Sequence, residues 1–210
     1  MNSRVRLGVA IPQTIQSGAF DLRGIQKFLA RAEALGFESA WVVEQILGSI
    51  RSLEPVTLLT YAASCTERLR LGPAVLLTAL RSPVHLAKAL ATLDHLSGGR
   101  LDVGVGLGGN PRIYGAFGLT SARRADRFAE GLRVMKRLWT EERVTVDGEF
   151  YKLQNASMEP SRCRSRTRRS GSAATTRTRS GAPWSWVTRS SARVPSRRRP
   201  SSTRSSCSAA

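Results

Sequence analysis

After residue 160 the sequence contains no Lys, Asp, Glu, Leu, Ile, Phe, Tyr or Met. Residues 161–210 hold instead 13 Arg and 14 Ser. A segment without those apolar residues cannot offset the entropy of ordering its backbone by burying surface, so a disordered tail is expected there. Histidine is scarce too: only His85 and His95 occur, without the spacing of a metal site or a catalytic triad. Cys65, Cys163 and Cys207 form neither an even set nor a metal-type pattern. Cys65 lies in a helical stretch, where a small buried hydrophobe is expected. No run approaches the roughly 18 apolar residues of a membrane span. The first twelve residues lack the apolar core and small-residue cleavage site of a secretory signal, so the expected compartment is the cytoplasm.

The formal net charge of +18 suggests a nucleic-acid binder until it is divided. The 13 tail arginines leave 20 basic against 15 acidic residues, a net +5, for residues 1–160. That balance is ordinary for a globular domain, so the overall pI describes the tail.

What is present before residue 160 is a succession of short apolar runs and amphipathic stretches. Residues 5–12 (VRLGVAIP) form an apolar run closed by Pro, as a buried strand does. Ile25, Phe28, Leu29, Ala32 and Leu35 fall at helical spacing over residues 22–37, with Gly36 as the stop. Residues 39–44 (SAWVVE) read as a second strand ending in a carboxylate, and 54–67 as a helix with Pro55 in its first turn. Residues 69–77 form strand three, and 83–96 a largely buried helix ended by SGGR. Residues 101–107 (LDVGVGL) are strand four, followed by a helix over 124–139. Residues 143–153 alternate around Asp147-Gly148, a two-residue hairpin signal.

Four apolar strands alternating with helices specify a parallel sheet covered by helices, either doubly wound or a (β/α)8 barrel. No G-x-G-x-x-G follows the first strand, which disfavours the dinucleotide fold. VGVGLGGN lies at strand four instead and reads as a strand end whose glycines admit a close neighbour rather than as a phosphate loop.

The stretches VRLGVAIP, LGFESAWVVEQ, ERLRLGPAVLLTALRSPVHLAKALATLDHLSGGRLDVGVGLG and RFAEGLRVMKRLWTEERVTVDGEFYKL resemble the luciferase-like monooxygenase family. The most specific is the L-D-x-L-S-G-G-R run downstream of P-V-x-L-A-K. The resemblance implies a (β/α)8 TIM barrel, of which residues 1–160 supply the first four βα units and a hairpin. It also implies FMN or coenzyme F-420 across the C-terminal strand ends, a small organic substrate and a homodimer formed through barrel helices. The cofactor-binding positions it implies are Glu44 and Gln45 after strand two, Ala74 and Val75 in strand three, and Gly108, Gly109 and Asn110 after strand four. The family often has an acidic residue followed by His after strand two, so Gln45 removes a titratable group. Glu44 either orients ring or substrate, or pairs with an arginine such as Arg51 or Arg81. Ala74-Val75 matches a non-prolyl cis peptide of the family, and ordinary strand core would explain these residues equally. Arg112 and Tyr114 either meet substrate or belong to a surface loop. The resemblance identifies no catalytic residue, and no metal is expected.

The resemblance stops near Pro160, and the genetic code offers a reason. A shifted codon takes the third base of one tail codon and the first two of the next. Trp186-Val187 then forces Gly, Trp184-Ser185 forces Glu or Val, and Val187-Thr188 allows Asp. Ser170-Gly171 allows Trp, and Ser172-Ala173-Ala174 allows Gly-Gly. With GC-rich choices at the free bases, residues 161–196 can be reread as a strand–helix–strand pattern with a W-x-G-G strand. The expectation is a single-base frameshift close to Pro160, natural or a sequencing error, and an impaired oxidoreductase, a monooxygenase if oxygen takes part. The alternative is a non-enzymatic, basic-tailed protein binding nucleic acid non-specifically through its arginines. Only Trp184 and Trp186 are available there for base stacking.

Overall fold

The computed structural model describes residues 6–108 and 110–162, and the backbone of residues 185–188. Local signals set most of the helices. Helix α1 (Leu22–Ala34) starts where the Asp21 carboxylate accepts from Gly24 N at 2.8 Å, and Gly36, at φ +79°, ends it. Glu54 caps α2 (Pro55–Ser64) through Thr57 N, and Ser82 caps α3 (Pro83–Leu96) through His85 N; each helix begins with Pro. Helix α4 (Arg124–Thr140) packs on α3, and its Trp139 indole donates to Ala87 O at 2.9 Å.

These helices follow strands β1 (Gly8–Ala10), β3 (Ser39–Val42), β5 (Arg70–Pro73) with its continuation β6 (Leu76–Leu77), and β7 (Val103–Gly106). Two short strands, β2 (Thr14–Ile15) and β4 (Arg51–Ser52), pair antiparallel beyond the ends of β1 and β3. The spatial order is β1-β3-β5; Leu71 then bridges to Leu101, just before β7, and Leu76 to Val105 of β7, all parallel. Each new strand is added beside the last, without the reversal of order that defines a doubly wound sheet. This is the winding of a barrel wall. The core lies between sheet and helices, where Leu29, Leu59, Leu71, Leu90 and Leu93 are fully buried.

Several boundaries differ from those read in the sequence. The first strand is shorter because Pro12 and Gln13 leave the sheet. Strand three is broken at Ala74-Val75 into β5 and β6. Cys65 is the half-buried C-cap of α2 rather than a buried core residue. The hairpin of β8 (Val144–Asp147) and β9 (Lys152–Ala156) has a longer turn than Asp147-Gly148 suggested. The buried Glu130 carboxylate accepts from Phe150 N and Tyr151 N at 3.1 and 2.9 Å, which holds residues 148–151 outside the ladder.

Most of the tail lies outside the described residues. Residues 185–188, expected to be disordered, form β10 (Ser185–Thr188), antiparallel to β7 with Ser185 opposite Gly106. The physical reason is the open edge of β7, whose backbone groups pair with any extended segment that reaches them. Arg162 donates to buried Asp94 at 3.1 Å and to Leu101 O at 3.0 Å, with its guanidinium 5.1 Å from the Trp139 ring centroid.

The SGGR stop contains more than a helix terminator. Gly98 and Gly99 adopt φ +63° and +79°, which turns the chain so that Arg100 reaches back under α2. Its guanidinium donates to Ala63 O, Thr66 O, Leu69 O and Ser97 O between 2.6 and 3.0 Å, and to Thr66 Oγ1. Burial lowers its pKa, against the opposing field of Glu33 and Glu67. Arg100→Ala would strand several carbonyls at once. A loss of about 3 kcal/mol is expected, read as a lowered urea midpoint.

Candidate functional site

The parallel register brings the C-terminal ends of β1, β3, β5/β6 and β7 to one edge of the sheet. Residues 11–13, 43–45, 74–77, 107, 108 and 110 therefore meet there. The peptide Ala74-Val75 is cis, and Ala74 N donates to Val42 O at 2.6 Å. The Val75 side chain lies across β7, where glycines make room. A β-carbon at Gly106 would sit 2.6 Å from Val75 Cγ2, and one at Gly104 would strike Pro73 O. The close neighbour admitted by the glycines of VGVGLGGN is thus the adjacent strand. Gly72 and Gly8 do the same for Trp41, whose ring would lie within 2.8 Å of an added β-carbon on either side.

Glu44 is at this edge, with its side chain fully buried. It accepts from Leu77 N and from Arg81 Nε at 3.0 Å, with a closer contact from Arg81 Nη2. The same guanidinium reaches Glu54 at 2.9 Å, and Glu54 caps α2 through Thr57 N at 2.7 Å. Arg81 therefore joins the end of β3, the segment after β6 and the start of α2. The partner of Glu44 is Arg81, not Arg51, which is exposed on β4. Burial opposes ionisation of both Glu54 and Arg81. The hydrogen bonds from Thr57 and Arg81 nevertheless hold the Glu54 pKa below its usual 4.5, and the two carboxylates raise that of Arg81. An open groove of about 350 Å³ lies beside this pair, lined by Glu54, Arg81, Ser82 and His85.

Gln45 follows Glu44 half-buried, in a loop whose Val43, Leu47 and Ile50 are more than half exposed. Gly108 has φ +83°, and Asn110 caps a 3-10 turn (Pro111–Phe117) by accepting from Arg112 N at 3.0 Å. Gly109 lies outside the described residues. Exposed Ala74 and half-buried Val75 and Gly108 thus form a shelf of small residues on the edge, with Gly106 buried beneath Val75. Its polar neighbour Glu44 is already committed to Leu77 and Arg81.

Other sequence candidates fall elsewhere. Tyr114 is buried at 1% exposure and its hydroxyl donates to Leu107 O at 3.1 Å, so it supports the loop after β7 rather than meeting substrate. Burial raises its pKa, with Arg124 and Arg127 opposing. Arg112 and His85 are exposed, and His95 contacts Ser161 O at 2.6 Å. Among the described residues no group of three or more His, Cys, Asp or Glu could hold a metal, and no helix is long and apolar enough to cross a membrane. Sequence reasoning missed Gln13. Its amide donates to Val43 O at 2.8 Å and accepts from Val43 N at 2.6 Å, locking β1 to β3. A lone polar residue directly after the first apolar run, residues 5–12, was the available signal.

Arg81→Met would leave the Glu44 carboxylate buried without its cation. A loss of about 3–5 kcal/mol in unfolding free energy is expected, with much of it recovered in Glu44→Leu/Arg81→Met. The Glu54 contribution has a defined sign. Its folded pKa is depressed, so its stabilisation is complete above pH 4.5 and disappears as pH falls through the folded value. Glu54→Gln should therefore flatten the acid limb of the urea midpoint against pH.

A sequence model of the luciferase-like monooxygenase family matches residues 1–169. An F420-dependent glucose-6-phosphate dehydrogenase of Kineococcus radiotolerans is 37% identical over 139 residues, covering 62% of this chain and 41% of that protein. The crystal structure of monooxygenase RslO1 from Streptomyces bottropensis superposes with TM-score 0.68 at 31% identity, over 76% of this chain and 50% of that one. The oxygenating constituent of 3,6-diketocamphane monooxygenase of Pseudomonas putida, solved with FMN, shares the fold at TM-score 0.62. It is 21% identical over 74% of this chain and 45% of that one. The chain spans less than half the length of the curated dehydrogenase it matches. With the family matched over most of its residues and the barrel winding in place, the chain belongs to the luciferase-like monooxygenase family.

Proposed function

We propose that residues 1–160 carry the cofactor-facing half of an oxidoreductase that uses coenzyme F-420 or FMN on a small organic substrate. The observation that supports this reading best is the shelf itself. At the C-terminal edge, where (β/α)8 barrels place their chemistry, Ala74 and Val75 lie against the glycines of β7. Ala74 and Val75 would back the ring, with Gly108, Gly109 and Asn110 along its border. When bound, either cofactor supplies hydride transfer, and FMN additionally supplies oxygen chemistry. The chain's own part is to bind and orient.

Glu44 acts in this reading as a positioning residue. It holds the segment after β6 in place through Leu77 and Arg81. Gln45 carries no titratable group. A homodimer through the helices and a cytoplasmic setting belong to the same reading. The nucleic-acid alternative finds no support among the described residues, where the net charge is modest and Arg70, Arg81, Arg100 and Arg137 are engaged in ion pairs or helix contacts.

The test is fluorescence titration of FMN and of F-420 with the protein. Weak, saturable binding of one of them is expected. Gly106→Ala, which pushes Val75 out of place, should weaken it at least tenfold with the circular dichroism spectrum unchanged. Absence of saturable binding at millimolar concentration, or equal binding by Gly106→Ala, would contradict the reading.

A further inference from the structure

All four residues of β7 are buried, without the alternation of a half-covered strand. Such a strand is built for parallel neighbours on both sides and cover on both faces. On one side it has them in β5 and β6; on the other it meets only β10, running the wrong way. The path of the chain after β7 adds a second observation. From β7 it forms α4, which packs on α3, then the β8–β9 hairpin, and returns past Met158 to the foot of the sheet. There Ser161 O meets His95 at the end of α3, and Arg162 meets Leu101 O just before β7 begins. By residue 162 a crossover is complete. The chain stands beside the open edge of β7, at the end from which a parallel strand would start.

We infer that the open edge of β7 is the seat of a parallel strand encoded by the nucleotides of residues 161–196, read one base out of phase. The composition of the tail follows from that displacement. A shifted codon ending in the TC of a TCN serine specifies Phe, Leu, Ile or Val. One ending in the TG of Cys or Trp specifies Leu, Met or Val. One ending in the CG of a CGN arginine specifies Ala, Pro, Ser or Thr. The 14 Ser and 13 Arg of the tail are therefore what an apolar segment rich in Ala and Pro leaves when its frame slips. Whatever the free bases, the codons formed at Arg162-Cys163, Pro183-Trp184 and Ser185-Trp186 specify Leu, Met or Val, and that at Trp186-Val187 specifies Gly. The codons over residues 170–174 accommodate Trp, an apolar residue and two glycines, within a strand's reach of Pro160. In this frame a CGN codon for Arg162 gives way to Ala, Pro, Ser or Thr, so Asp94 has to take its donor from elsewhere in the restored chain.

The inference concerns the sheet and does not depend on the cofactor reading. Its test is the nucleotide sequence of codons 158–196, together with expression of the gene as written and with one nucleotide added in codon 160. The added-base frame is expected to stay open through codon 196 and to place apolar residues before the serines. Its product is expected to protect the amides of Val103–Gly106 from hydrogen exchange at least a hundredfold better than the product as written. A stop codon in that frame, or AGY serines that fill it with Gln, Lys and Glu, would overturn the inference. So would equal protection in the two proteins. Neither readout involves FMN or F-420, so failure here is distinct from failure to bind a cofactor.

Discussion

Everything of functional interest in this chain depends on parallel register. Gly8 opposite Ser39, Ser39 opposite Arg70 and Leu76 opposite Val105 bring four strand ends to a single edge. A parallel sheet of this kind needs helices on its outer face and a partner on each side of every interior strand. The first need is met by α1–α4. The second is met for β3 and β5 by strands of the same direction, and for β7 only by a short segment running in reverse.

Buried polar groups hold the wall together where the strands end. Arg100 ties the foot of α3 to the carbonyls at the end of α2, and Arg81 does the equivalent at the upper edge for β3, β6 and α2. Gln13 clamps β1 to β3. Each is a side chain whose donors fall on groups that would otherwise be buried unpaired. With the Glu44 carboxylate held by Leu77 and Arg81, the edge formed by Ala74, Val75 and Gly108 over the buried Gly106 is apolar. In the proposed reading such a surface would orient a ring that brings its own chemistry.

The helices were legible because their signals are local. Asp21, Glu54 and Ser82 precede the apolar periodicity that they cap, and α3 begins and ends at the residues that periodicity and the SGGR stop indicated. The break between β5 and β6 was marked only through family resemblance, since its packing depends on glycines about thirty residues away in β7. Glu44 had two plausible arginine partners in the sequence, and only the fold brings Arg81 to it. Tyr114 was misjudged because it turns inward from the loop after β7, where its hydroxyl donates to Leu107 O. The hairpin turn is lengthened by Glu130 from α4, which no two-residue signal could contain. Nothing local in the tail announces β10, because an open sheet edge selects extended backbone with little regard for side chains.

The account therefore treats residues 1–160 as the part of the chain in which fold and site are built, with a change of frame where that part stops. The intact mass of the protein made from its own gene in its own cells tests this most directly, supported by sequencing of the peptides that span Pro160. The account predicts peptides that continue beyond Pro160 with apolar residues or, where the base is missing from the gene itself, a 22.9 kDa product whose gene keeps the added-base frame open through codon 196. A 22.9 kDa product from a gene in which that frame closes before codon 196 would contradict it.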